Sequence, residues 1–160
     1  MNFCPNCGEL IRKKRIDDVE RFFCDQPQCH FVDWDNPVPV VAAIVKYKDQ
    51  ILLAQNTAWP DGQYSFITGY LERYEHPELA VIREVKEELG LDAQLEKFIG
   101  HFIFTEKNQL LIVYSVAAEG TIMLNRELKD FKLFNERKIL EHMFAYPKFA
   151  QSIIEKYLSA

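Results

Sequence analysis

Three glutamates, Glu84, Glu87 and Glu88, stand at i, i+3 and i+4 in the segment GYLERYEHPELAVIREVKEELGL, which fills residues 69–91. From about His76 this segment has helical spacing. At about 100° per residue, Leu79, Ile82, Val85 and Leu89 gather on one side of the wheel and the three glutamates on the other. Such a pattern also describes a solvated acidic face. Like charges at this spacing repel, however, and no lysine shares the face of the wheel that Glu84 and its neighbours occupy, which points to a counter-charge from outside the chain. Oxygen-only ligands select a hard divalent cation, Mg²⁺ or Mn²⁺.

A second group of residues suited to a metal lies upstream. All four cysteines fall within the first 30 residues, as Cys4-x2-Cys7 and Cys24-x4-Cys29, with sixteen residues between the pairs. Two disulfides would use them in a secreted protein. The N-terminal MNFCPNCGEL lacks the character of a signal peptide, so the expectation is a structural zinc ribbon with Cys4, Cys7, Cys24 and Cys29 as Zn²⁺ ligands. His30 is an alternative to Cys29, against its reading as a surface histidine. Four protein ligands would leave no open position for a substrate, which makes this zinc structural.

Composition bounds what surrounds these groups. A chain of 160 residues, 48% of them hydrophobic, is long enough for one ordinary domain with a small appendage. Its net charge of −5 argues against generic binding of nucleic acid or anionic membrane. Arg12-Lys13-Lys14-Arg15 is a basic run, but five basic residues within positions 1–30 meet five acidic ones, so a solvated hairpin is expected there. No apolar run reaches the length of a transmembrane helix, and a cytoplasmic location is the expectation.

The ribbon is expected to span residues 1–33, with a second, larger domain over residues 34–160. Pro37 and Pro39 favour extended backbone in the linker between them. Val40–Tyr47 reads as a central strand, turning at Lys48-Asp49-Gln50 into Ile51–Gln55. Asn56–Gly62 is a loop, and Tyr64–Thr68 a short strand that leads to Gly69. Gly90 would cap the helix. Phe98–Phe104 and Leu110–Ala118 pattern as an antiparallel pair, followed by a short strand at Phe131–Phe134. A short helix is expected from near Asn135 through Leu140, and a C-terminal helix over Pro147–Leu158.

Gly69, Glu75, Arg83-Glu84-Val85, Glu87-Glu88 and Gly90-Leu91 match every fixed position of the Nudix box over 23 residues. The chain therefore resembles the Nudix hydrolases, pyrophosphohydrolases that cleave a nucleoside diphosphate linked to another moiety. A zinc ribbon before such a domain is similar to the NADH pyrophosphatase group, and the likeness runs from Cys4 to about Phe134. Where that group carries an SQPWPFPxS stretch associated with NAD(H) preference, this chain reads HFIFTEK at residues 101–107. NADH, ADP-ribose and FAD all remain candidate substrates on this ground.

The resemblance implies a mixed α/β fold, the Nudix α/β/α sandwich with the ribbon appended, and a small-molecule nucleotide as partner. It implies catalytic metals on Glu84, Glu87 and Glu88 and on the Gly69 carbonyl, with Glu84 or Glu88 positioning the water. Arg83 orients a box glutamate. Glu75 either stabilises the loop or stands in the outer metal shell. A further carboxylate completes the site, Glu127 or its rival Glu106. An aromatic residue stacks on the substrate, with Tyr70, Tyr64, Phe102 and Phe104 as candidates. The group is dimeric, which implies a homodimer here. Two other readings follow: removal of an NAD-type cap from RNA 5′ ends by the same chemistry, and a non-catalytic sensing module.

Overall fold

The computed structural model describes residues 2–136, 138–141 and 144–159, and the chain divides into two compact units, Met1–Pro37 and Val38–Ala160. The first unit is built on a hairpin of β1 (Arg12–Ile16) and β2 (Val19–Phe23). Asp17 and Asp18 at its tip both have positive φ, 49° and 62°, the backbone that a two-residue turn between right-twisted strands requires. Most side chains on β1 are exposed, with Lys13 pairing Glu20 at 2.6 Å, so the basic run forms a solvated hairpin face. Cys4, Ile11 and Cys24 supply the buried centre.

The second unit is a six-stranded mixed sheet between two helices. Its strands are β3 (Val38–Tyr47), β4 (Gln50–Asn56), β5 (Ile67–Tyr70), β6 (Asp92–Phe104), β7 (Gln109–Glu119) and β8 (Leu128–Phe134), and its helices are α1 (Pro77–Leu89) and α2 (Pro147–Leu158). The sheet runs β6-β7-β3-β4-β8, with β5 antiparallel to β3. β3 and β7 are parallel, with Val40 opposite Leu111. β3 alternates faces with the period of a strand. Val40, Ala42 and Ile44 join the core under α2, with Ala150, Ile153 and Ile154. Val41, Ala43 and Val45 join the core under α1, with Ala80, Val81, Val85 and Leu89. Both faces of β3 are thus covered, which explains its nearly continuous apolar sequence.

One edge of β3 is shared. Its N-terminal half pairs with β5 through Val40–Ala43, and its C-terminal half pairs with β4 through Val45–Tyr47. Beyond that ladder Ala54 of β4 exchanges backbone hydrogen bonds with Ser65 at 2.9 Å instead. The parting of β4 from β3 leaves room beside β5, and the candidate active site lies there.

Several boundaries differ from the sequence reading. Tyr64 and Ser65 make isolated bridges, and the strand proper starts at Ile67. β6 begins at Asp92 rather than Phe98. It is an edge strand with exposed side chains along much of its first half, so no apolar alternation marks it. The helix expected near Asn135–Leu140 is a single 3₁₀ turn over Ile139–Glu141, and Arg137 lies outside the described residues.

Helix α1 starts with Pro77 in its first turn, where the missing N–H costs nothing. Its C-terminal cap is Gly90 at φ 71°, which donates to the Lys86 carbonyl at 3.0 Å. A Cβ on Gly90 would meet the Met123 Cβ at 3.1 Å in a left-handed backbone. Gly90→Ala is therefore expected to lower stability by about 1–3 kcal/mol, read as a lower urea midpoint at unchanged m-value. An unshifted midpoint would contradict this account of the cap.

Candidate active site

The buried arc of α1 is not the one expected from the wheel. Leu79 is 62% exposed and Ile82 is half-buried, whereas Ala80, Val81, Val85, Glu88 and Leu89 are buried. Glu84 and Glu88 thus turn towards the sheet rather than towards solvent. The helix is rotated to bring Glu84 against Gly69 of β5 and to bury Glu88.

Gly69 makes that approach sterically possible. A Cβ at this position would lie 1.8 Å from the Glu84 Cδ, so any side chain would collide with the carboxylate. The backbone of β5 is ordinary here, and the need for glycine is one of close approach.

Arg83 ties the carboxylates together. Its guanidinium donates to both oxygens of Glu75, at 2.8 and 2.9 Å, in a fork-to-fork pair. Nη1 also donates to Glu84 at 2.7 Å and Glu87 at 3.1 Å, and Nη2 to the Tyr70 carbonyl at 3.2 Å. Glu75 in turn accepts the Glu72 backbone N–H at 3.1 Å, which holds the loop before α1. The Arg83 hydrogen bond keeps the Glu75 carboxyl below its ordinary range, and Glu75 raises the Arg83 pKa. Part of the counter-charge expected from outside the chain is therefore inside it.

Glu88 lies outside this clamp. Burial first, then the charges on Glu84, Glu127 and Glu87, push its carboxyl up to about 8. Burial also raises Glu84, with the Arg83 hydrogen bond opposing. A buried carboxylate facing three others is a donor set that suits a divalent cation.

These side chains open onto a cavity of about 630 Å³ whose walls include Gly69, Tyr70, Glu72, Glu84, Glu87, Glu88 and Glu127. Glu127 is brought in by its backbone carbonyl, which accepts the Thr57 N–H at 2.7 Å, and by the Asn125 side chain, which accepts the Glu127 N–H at 2.9 Å. Glu106 lies instead in the exposed 3₁₀ turn Thr105–Lys107, outside the cavity. Tyr70 is 62% exposed at the cavity wall. Tyr64 and Phe102 are not in this wall. Tyr64 is 3% exposed and donates its hydroxyl to Asp130, and Phe102 packs against the core under α2. Both were read as possible stacking residues, but the core takes them. Phe104 is also a core residue and reaches only a smaller adjoining cavity of about 60 Å³.

Asn56, Trp59, Phe66, Lys107 and Gln109 also line the main cavity and were not assigned from sequence. Trp59 and Lys107 read there as loop and turn residues. Their only signal was an aromatic and a cation in segments that otherwise have no packing duty.

In the first unit, the Sγ atoms of Cys4, Cys7, Cys24 and Cys29 all lie within 4.8 Å of one another and could hold a metal ion. Cys4–Cys29 and Cys7–Cys24 are each separated by 3.5 Å, well beyond a disulfide bond of about 2.0 Å. A tetrahedral Zn²⁺ with bonds of about 2.3 Å places its sulfurs about 3.8 Å apart. All four cysteines are free, and His30 is exposed outside the cluster.

Residues 36–156 match the NUDIX domain family, and the chain belongs to it. It is 28% identical over 159 residues to the NAD-capped RNA hydrolase NudC of Pseudomonas aeruginosa strain LESB58, a match covering 98% of this chain and 55% of that protein. It is 30% identical over 137 residues to the NAD-capped RNA hydrolase NudC of Vibrio atlanticus, covering 84% of this chain and 49% of that one. The chain thus spans about half the length of these relatives. A crystal structure of a NUDIX hydrolase from Nitrosomonas europaea superposes with a TM-score of 0.81 at 20% identity, covering 100% of this chain and 94% of that one. That likeness shows the fold. Among the described residues, no helix is long and apolar enough to cross a membrane.

The state of Glu88 has a measurable consequence. Without divalent cations the folded protein keeps a proton on Glu88 up to about pH 8, whereas the unfolded chain releases it near 4.5. The folded state binds more protons across that window, so this contribution is fully present below it and is lost as pH rises through it. In Mg²⁺- and Mn²⁺-free buffer, Glu88→Gln is expected to be more stable than the parent at pH 8, with a shallower decline in melting temperature from pH 5. Parallel declines in the two proteins would contradict the assignment.

Proposed function

We propose that this chain hydrolyses the pyrophosphate linkage of a nucleoside diphosphate derivative of the NADH, ADP-ribose or FAD type. The products are a nucleoside monophosphate and a phosphorylated remainder. The observation that carries this reading is the convergence of Glu84, Glu87, Glu88 and Glu127 on one cavity beside Gly69. Their oxygens, with the Gly69 carbonyl, would hold Mg²⁺ or Mn²⁺.

When bound, such cations neutralise phosphate charge and activate a water. The chain supplies the rest. Arg83 fixes the Glu84 and Glu87 carboxylates by charge-assisted hydrogen bonds, so that little reorganisation is needed when substrate arrives. Glu84 or Glu88 positions the attacking water. Tyr70, exposed on the wall, offers a ring face to the substrate. Water adds to one phosphorus as its bond to the bridging oxygen breaks, and that oxygen leaves on the other phosphate. No covalent protein intermediate is required. The four cysteines, whose sulfurs lie within 4.8 Å of one another, would hold Zn²⁺ in a structural role, since four protein ligands would leave no position open to substrate.

A second reading follows from the relatives, which are named for NAD-capped RNA. The bond broken is the same, and the substrate differs only in what extends beyond the nucleotide. The intact glutamates favour catalysis over a sensing module.

Glu87→Gln and Glu88→Gln are expected to lower kcat by about a hundredfold or more while leaving the circular dichroism spectrum unchanged. The assay is AMP release from NADH and ADP-ribose with Mg²⁺ and with Mn²⁺. Near-normal turnover by Glu88→Gln would overturn the site.

A further inference from the structure

The cavity has two chemically different ends. One carries the carboxylates. At the other, Trp59, Phe66, Lys107 and Gln109 also border the adjoining 60 Å³ cavity, whose walls add Tyr146. The two cations in the main cavity wall are Arg83 and Lys107. Arg83 is committed to Glu75, Glu84 and Glu87. Lys107 has no carboxylate partner among the described residues. Its ammonium instead lies 5.8 Å from the Phe104 ring centre and 5.5 Å from that of Tyr146. A cation held on aromatic faces keeps its charge available to an anion.

Trp59 meets the same ring from the side, edge-on to Tyr146 at 6.2 Å and 87°. Its backbone is fixed at both ends: the N–H donates to the Asn56 carbonyl at 3.0 Å, and the carbonyl accepts Lys129 Nζ at 3.1 Å. The next carbonyl, of Pro60, accepts Gln55 Nε2 at 2.6 Å. Trp59 is therefore a half-buried indole on an anchored loop, a rigid platform of the kind on which planar rings stack.

The geometry points to a nucleotide subsite formed by Trp59 and Lys107: the base stacks on the indole, and its 5′-phosphate pairs with the lysine. The subsite rests on the hydrolytic reading for its place in the reaction, where it would hold the nucleoside monophosphate half of the substrate. Lys107 falls in the HFIFTEK segment at residues 101–107.

AMP tests the subsite separately from catalysis, because it has the ring and the phosphate but no pyrophosphate bond to cleave. Trp34→Phe leaves Trp59 as the only tryptophan of the full chain, so its fluorescence reports the indole directly. With Mg²⁺ present, AMP is expected to quench this signal saturably and ribose 5-phosphate to leave it unchanged. Adding Lys107→Met should weaken AMP binding about tenfold, with adenosine binding unchanged, and Lys107→Arg should stay within about threefold of the parent. AMP binding indifferent to Lys107→Met, or an indole unresponsive to AMP, would overturn the subsite. Turnover of NADH, ADP-ribose and FAD by the same proteins separates subsite from hydrolysis. Expected AMP binding with no turnover of any of the three refutes hydrolysis and leaves the subsite standing. Turnover with AMP binding indifferent to Lys107 refutes the subsite and leaves hydrolysis standing.

Discussion

The site depends on the Arg83 guanidinium. Three carboxylates on adjacent turns of α1, with Glu75 on the loop before it, would repel one another and loosen the loop–helix junction. Arg83 joins three of these four groups and also binds the Tyr70 carbonyl on β5. A planar, always-charged fork suits this task, where a lysine would offer a point charge without the paired geometry. With side-chain exposures of 25% for Arg83, 16% for Glu75 and 13% for Glu84, the cluster is partly shielded from solvent. Losing one member would therefore leave its partners poorly compensated.

A second constraint is steric. Helix α1 packs through Ala80, Val81, Val85 and Leu89 onto the face of β3 that carries Val41, Ala43 and Val45. That packing sets how close the helix comes to β5. At this spacing the Glu84 carboxylate occupies the volume of a Cβ on Gly69. The core thus presses charged groups against a strand that has given up its side chain. Glu88, inside the buried arc without an Arg83 contact, carries the remaining electrostatic cost. A fold selected for stability alone would place an apolar residue there.

Sequence legibility followed the number of neighbours that decide each position. β3 and β4 were readable because both faces are buried and Lys48-Asp49, both at positive φ, turn the chain locally. The box was readable because its residues are contiguous in sequence, from Gly69 at the end of β5 through the loop and α1 to the Gly90 cap. The first half of β6 was not, since an edge strand needs no apolar pattern. The rotation of α1 was missed because a wheel weighs hydrophobicity and cannot know that two glutamates are wanted inside. Tyr64 and Phe102 were offered as ligand contacts, yet their burial is decided by α2, more than forty positions away in sequence. Trp59, Lys107 and Tyr146 meet from three separate loops, and nothing local marks that convergence.

Arg83 and Glu75 act as one unit that holds the Glu84 and Glu87 carboxylates in place. A double-mutant cycle on Mn²⁺ affinity, followed by electron paramagnetic resonance of the free ion, tests it directly. Arg83→Gln and Glu75→Gln should each weaken binding at the box by about tenfold, and the double variant should be little weaker than either single one. Unchanged Mn²⁺ affinity in Arg83→Gln, or losses that simply add, would contradict the account.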